Sequence, residues 1–84
     1  MRHTLKHKYM ERLLRELKER VTSDNLNCNM NAINDFIEGT LTLRSKYSDA
    51  RIKEFIDLTL KDLQDKKIPI DMIQVEKIRK KCKM

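Results

Sequence analysis

Residues 25–32 read NLNCNMNA, and this stretch decides which fold the middle of the chain can adopt. Polar and apolar residues alternate through it, which is the period of a β-strand. The alternation fails at Ile33, where a strand would need a polar residue, and asparagine is a poor strand former. A helix explains more of the sequence, because five apolar residues at helical spacing share an arc of about 80°: Leu26, Met30, Ile33, Ile37 and Leu41.

The sequence therefore predicts a helix over about residues 24–43. Asparagines crowd its first turns and predict a frayed start, and Asn29 is a second candidate for the N-cap, which would shorten the helix to 30–43. Cys28 lies off the apolar stripe, so we expect it at the surface. A calcium-binding loop is excluded, because Met30 and Phe36 stand where that loop needs glycine and a bidentate glutamate.

Two more amphipathic helices are predicted before and after this one. The first covers about residues 4–21, where apolar residues recur every four positions: Leu5, Tyr9, Leu13, Leu17 and Val21. The third covers about residues 49–66, and Ser48 is placed to cap its N-terminus. Leu58 falls outside the apolar stripe of the third helix, which suggests a second contact there.

The fourth helix has the clearest local signal in the chain. Pro69 ends the preceding segment, and Asp71 is followed three residues later by Gln74, which is the acidic form of a capping box. Ile70 and Val75 occupy the two positions of a hydrophobic staple. These signals predict a helix over residues 72–81, with Ile73 among its apolar contacts.

The composition agrees with an all-α fold of one small domain spanning residues 1–84. Leu, Ile, Val and Phe supply 22 of the 84 residues, whereas Gly and Pro occur once each. We therefore expect a bundle of three to four helices. Apolar residues at the stripe edges could be covered by a helix-mediated homodimer: Leu14, Leu43 and Leu58. A short four-helix chain with acidic and basic pairs also resembles the bacteriocin immunity proteins in architecture.

The net charge of +6 is concentrated at the two ends of the chain. Residues 1–20 sum to +4 and residues 71–84 to +3, whereas residues 21–50 sum to −2. Such clusters can bind a phosphate backbone or an acidic partner. The candidate binding surface consists of eight basic residues: Lys8, Arg12, Arg15, Lys77, Arg79, Lys80, Lys81 and Lys83.

The sequence predicts no catalytic residue, no metal site and no cofactor. His3, His7 and Glu11 have a spacing that can hold zinc, but the site lacks further ligands and would lie at the chain end. The sequence has no Gly-rich phosphate loop, and its carboxylates stand four residues from basic residues, as on a solvated helix face. We therefore expect a protein that is not an enzyme.

The cellular location follows from the cysteines and from the first residues. Cys28 and Cys82 are too few for a disulfide framework, which favours a reducing compartment. The chain shows neither a secretory signal nor a membrane span, so we expect a cytoplasmic protein.

One DNA-binding pattern occurs in the middle of the chain. Residues 40–44 read TLTLR and superficially resemble the strand of the ribbon–helix–helix repressors, in which polar residues of one face enter the major groove. The distance from Leu43 to the cap at Asp71 is longer than that fold uses by roughly two helical turns. Leu41 also fits the helical stripe, which favours a helix here.

Two functions remain after these exclusions. The first is a small non-enzymatic regulator or inhibitor that binds a protein partner through an amphipathic helical surface with a basic rim. The alternative is a nucleic-acid-binding regulator that uses the basic clusters at both ends of the chain.

Overall fold

A computed structural model describes residues 4–82, with side chains from residue 8 onward, and over this range the chain is all-α. It forms four α-helices and one short 3₁₀ helix: α1 (Thr4–Arg20), α2 (Leu26–Leu41), the 3₁₀ helix (Thr42–Ser45), α3 (Asp49–Asp65) and α4 (Met72–Lys81). No strand occurs within residues 4–82. The small helical bundle expected from the sequence is therefore confirmed.

The start of α2 is well capped, and the prediction of a frayed start is wrong. The side chain of Asn25 accepts a hydrogen bond from the backbone N–H of Cys28, so the helix begins at Leu26. Asn29, the second candidate for the cap, lies inside the helix and is fully buried. Leu26 was expected in the apolar stripe but is 41% exposed, since it occupies the first turn at the end of the bundle.

The core lies between α2 and the other three helices. It combines buried apolar side chains from all four α-helices, among them Leu17, Ile33, Ile56 and Val75. The rings of Phe36 and Phe55 join α2 to α3 with their centroids 5.4 Å apart. Helix α2 is thus the central element, and the other helices pack around it.

Helix α1 approaches α2 closely where α2 has small residues. Ala32 is buried in the core, and a Cβ atom added at Gly39 would lie 2.8 Å from Cδ2 of Leu13 in α1. Gly39 is the lone glycine of the chain and lies inside α2, where a glycine weakens the helix. It also gives α1 room to pack against α2, which a larger side chain would reduce.

Two ion pairs place α1 and α4 on different sides of α3. Nζ of Lys18 in α1 lies 3.5 Å from Oδ2 of Asp62, and Nη2 of Arg79 in α4 lies 2.5 Å from Oδ1 of Asp57. Asp57 and Asp62 are separated by about 140° around the axis of α3, because each residue of a helix turns by about 100°. Helices α1 and α4 therefore form ion pairs with different sides of α3.

Local backbone signals fix the turn between α3 and α4. Lys67 adopts a left-handed conformation with φ of 62°, and the N–H of Ile68 donates to the carbonyl oxygen of Leu63, which closes a Schellman motif. The side chain of Asp71 then accepts hydrogen bonds from the N–H groups of Ile73 and Gln74. Asp71 is therefore the N-cap of α4, as the sequence predicted.

The ribbon–helix–helix interpretation of residues 40–44 is wrong. Thr40 and Leu41 form the last turn of α2, and the chain continues as the 3₁₀ helix Thr42–Ser45. Thr40 is buried and its hydroxyl donates to the carbonyl oxygen of Phe36, so it faces the core rather than a groove of DNA.

Candidate binding surfaces

The three candidate basic residues of α1 lie on its outward side. Lys8, Arg12 and Arg15 are exposed and share an arc of about 60° opposite Leu17, which is buried. Acidic residues interrupt this side of the helix, and Nε of Arg12 lies 3.2 Å from Oε2 of Glu16. The α1 cluster is therefore a mixed surface whose positive charge is partly compensated.

The basic residues of α4 fall into two groups. Lys77, Lys80 and Lys81 are exposed, and none of them forms an ion pair within the described part of the chain. The side chain of Arg79 is only 12% exposed and forms ion pairs with Asp57 and Glu76. Arg79 thus joins α4 to α3. The last candidate, Lys83, lies outside the described residues.

The fold does not bring the two basic clusters onto one surface. Helices α1 and α4 contact different sides of α3, as the pairs at Asp62 and Asp57 show. Lys8, Arg12 and Arg15 lie on the outward side of α1, and Lys77 and Lys80 lie on the outward side of α4. A ligand that binds the α4 cluster therefore meets a separate patch from the α1 cluster.

Ile73 makes the α4 cluster distinctive, and its position differs from the one that the sequence predicts. Ile73 was expected to contact the core, but it is 72% exposed. Its neighbour Val75 is fully buried, and a residue two positions earlier points about 160° away from it. Ile73, Lys77 and Lys80 therefore share an arc of about 60° on the outward side, which we call the α4 face. The staple at Val75 could have revealed this orientation.

An internal amide holds the end of the bundle where α4 begins. Oδ1 of Asn29 accepts from the N–H of Thr22 at 2.7 Å, and Nδ2 donates to the carbonyl oxygens of Thr22 and Pro69 at 2.8 and 3.0 Å. One buried side chain therefore fixes both the α1–α2 loop and the α3–α4 loop. Sequence reasoning missed this role, because it depends on a contact 40 residues away.

Two further apolar side chains are exposed at this end, Leu26 and Met72. The two helix starts lie close together, since the N–H of Asp71 is 3.4 Å from Sδ of Met30, one turn after Leu26. Tyr9 of α1, which was also expected in the core, is half exposed, and Nζ of Lys46 lies 5.1 Å from its ring centroid. The exposed ring of Tyr9 therefore forms a cation–π contact with Lys46.

Asp62 has the most perturbed charge environment of the described residues. Its pKa lies below the ordinary value of 3.8, mainly because the Lys66 ammonium group donates a hydrogen bond to it and additionally because the charges of Lys66 and Lys18 are close. The carboxylate is accordingly held in its charged form between two lysines. The cluster of Lys18, Asp62 and Lys66 joins the C-terminal end of α3 to α1.

The cysteines are free thiols, and both are partly buried. Sγ of Cys28 lies 3.4 Å from the carbonyl oxygen of Arg20, so its expected position at the surface is only partly correct. Among the side chains that the structure describes, no three His, Cys, Asp or Glu residues cluster as metal ligands would. His3 of the zinc-like spacing lies outside the described residues. Over residues 4–82, no helix combines the length and apolar composition that crossing a bilayer requires.

No protein-family model matches the chain, and neither a curated protein nor a solved structure matches it.

Proposed function

We propose that the protein is a non-enzymatic regulator or inhibitor that acts in the cytoplasm by binding a protein partner through the α4 face. The observation that carries this proposal is the 72% exposure of Ile73 beside two lysines that form no ion pair among the described residues. Covering a large apolar side chain that is exposed to solvent lowers the free energy and so favours binding. The lysines select partners of negative charge.

The partner that fits this face is an amphipathic helix with apolar and acidic residues. Ile73 and Lys77 are four residues apart and Lys80 follows three residues later, so they line one side of α4. A partner helix laid along α4 could cover Ile73 with an apolar residue and place carboxylates near both lysines. The apolar contact supplies affinity, and the charges determine orientation and association rate.

A nucleic-acid-binding regulator is the second candidate function. It is favoured by the three exposed lysines of α4, Lys77, Lys80 and Lys81, which could contact phosphates. An exposed Ile73 in their midst has no role in phosphate contact, and the α1 cluster lies on a separate patch. Protein binding therefore uses more of the α4 face than nucleic-acid binding does.

Fluorescence anisotropy distinguishes the two functions with three labelled probes: an amphipathic helical peptide of Leu and Glu, its counterpart with Lys in place of Glu, and duplex DNA. Titrations are run at about 50 and about 200 mM salt, a range over which phosphate binding weakens steeply. We expect binding of the acidic peptide that persists at the higher salt and little binding of the basic peptide.

Matched charge reversals supply the control. Lys77→Glu with Lys80→Glu reverses two charges on the outward side of α4, and Lys8→Glu with Arg15→Glu does the same on α1. We expect only the α4 pair to abolish binding of the acidic peptide. The proposal is overturned if the acidic peptide does not bind, or if DNA binds with micromolar affinity that collapses at the higher salt and requires Lys77, Lys80 and Lys81.

A further inference from the structure

Helix α3 has an outward side of its own, separate from the α4 face. Five exposed residues share an arc of about 80° opposite the buried Ile56, and we call them the α3 face: Arg51, Glu54, Leu58, Lys61 and Asp65. Leu58 lies near the middle of this face and is 61% exposed. The ion pairs of Asp57 with α4 and of Asp62 with α1 border the face on its two sides.

The four charges of the α3 face are free to pair with another molecule. Two are basic and two are acidic, so the face is neutral in sum. Within the described part of the chain, none of the four forms an ion pair. A partner would therefore displace water but no existing salt bridge.

The order of these charges is complementary to its own reverse. Arg51 stands seven residues before Leu58 and Asp65 seven residues after it, so an antiparallel copy of α3 places each against the other. Glu54 stands four residues before Leu58 and Lys61 three after it, so they meet within about 1.5 Å along the axis. Both also lie on the same lateral side of the face, toward Asp57.

We infer that the α3 face binds a second copy of this chain, with the two α3 helices antiparallel about a two-fold axis at Leu58. The symmetry places Leu58 against its counterpart. Each ion pair, Arg51 with Asp65 and Glu54 with Lys61, then occurs two times across the interface. This is an isologous contact, in which one patch serves both subunits. The α4 face remains outside this contact, which leaves it open in both copies.

The contact is narrow and depends on charge. One apolar residue from each copy lies at its centre, and ion pairs surround it, so its affinity is modest and falls with ionic strength. An acidic or basic partner would satisfy half of the charges on the α3 face and repel the other half. A second copy in the antiparallel orientation satisfies all four.

Sedimentation equilibrium of the full chain at low salt tests this inference. We expect a monomer–dimer equilibrium for the unaltered protein, and Leu58→Glu to weaken it by about tenfold or more, because two carboxylates would meet at the centre. Ile73→Glu introduces the same charge at another exposed apolar position and should leave the equilibrium unchanged. Circular dichroism shows whether each variant retains its helices.

A charge exchange tests the antiparallel register. Arg51→Glu and Asp65→Lys each turn two symmetric attractions into repulsions, so each variant alone should dimerise about tenfold more weakly. Mixed together they restore both pairs, since the carboxylate introduced in one copy meets the ammonium group introduced in the other. We expect the mixture to dimerise about as well as the unaltered protein. A monomeric unaltered protein, or a mixture no stronger than the single variants, would overturn the inference.

Discussion

The α3 face and the α4 face each leave one large apolar side chain in solvent, but the charges around it differ. Leu58 on α3 is surrounded by two acids and two bases, whereas Ile73 on α4 shares its arc with two lysines, and the adjacent Glu76 pairs with Arg79. The mixed pattern matches a reversed copy of itself, and the uniform pattern matches a partner of opposite charge. The comparison teaches that neighbouring charges, rather than apolar exposure alone, indicate which partner a helix face fits.

The largest expected effect is the loss of stability when a core leucine of α3 is truncated, and the exposed Leu58 is its control. Leu60 is buried in the core, two residues after Leu58 in the same helix. Leu60→Ala should lower the free energy of unfolding by about 2–5 kcal/mol, because it removes buried methyl groups and leaves a cavity. Leu58→Ala should change it by less than about 0.5 kcal/mol. Urea unfolding followed by circular dichroism measures both, and equal losses would mean that Leu58 belongs to the core.

The next effect concerns Asn29, whose side chain holds the α1–α2 loop and the α3–α4 loop together. Asn29→Ala leaves the N–H of Thr22 and the carbonyl oxygens of Thr22 and Pro69 without their partner, so we expect a loss of about 2–3 kcal/mol. Asn31→Ala, an exposed asparagine of the same helix, is the matched control and should cost less than about 0.5 kcal/mol. If urea unfolding gives the same midpoint for both variants, the buried amide does not hold the two loops.

A smaller effect separates the basic residues of α4 by role. Arg79→Ala removes the ion pair with Asp57 that joins α4 to α3, and the side chain it removes is largely buried. We expect a loss of about 1 kcal/mol, against less than about 0.5 kcal/mol for Lys80→Ala. Thermal unfolding compares the two variants. A greater loss for Lys80→Ala would contradict the assignment of Arg79 to structure and of Lys80 to binding.

The smallest effect is a pH dependence at the border of the α3 face. The pKa of Asp62 is lowered, so the carboxyl group binds fewer protons in the folded state than in the unfolded state. It therefore stabilises the folded state at pH values above 3.8, its ordinary pKa. That contribution is lost as the pH falls through the lowered pKa. We expect the Tm of Asp62→Asn to fall less on acidification than that of the unaltered protein. Asp65→Asn, which alters an exposed carboxylate of the same helix, should retain the full loss.

The local signals of the sequence predicted the helices better than their orientation. The cap at Asp71 and the staple at Val75 involve neighbours in the chain, so α4 could be located from the sequence. The position of Ile73 follows from the same staple, since Val75 faces the core and Ile73 must point away from it. The sequence nevertheless led us to expect Ile73 among the buried residues of α4. Hydropathy alone does not show which apolar residues remain outside a small core.

The contacts that are distant in sequence could not be predicted. Asn29 is a polar residue in a stretch that suggested fraying, and its buried position depends on Pro69, 40 residues later. Arg79 belonged to a basic cluster in the sequence, and its partner Asp57 lies 22 residues earlier. In both cases the tertiary structure supplies the hydrogen-bond partner, and single-sequence periodicity contains no information about it.

The most direct test of the account is one anisotropy titration of the acidic amphipathic peptide against two variants, Ile73→Glu and Leu58→Glu. Both place a carboxylate at an exposed apolar position, and neither position belongs to the core. The account predicts that Ile73→Glu abolishes binding of the peptide, whereas Leu58→Glu binds it as the unaltered protein does. Binding that survives Ile73→Glu, or that is lost with Leu58→Glu, would contradict the assignment of partner binding to the α4 face.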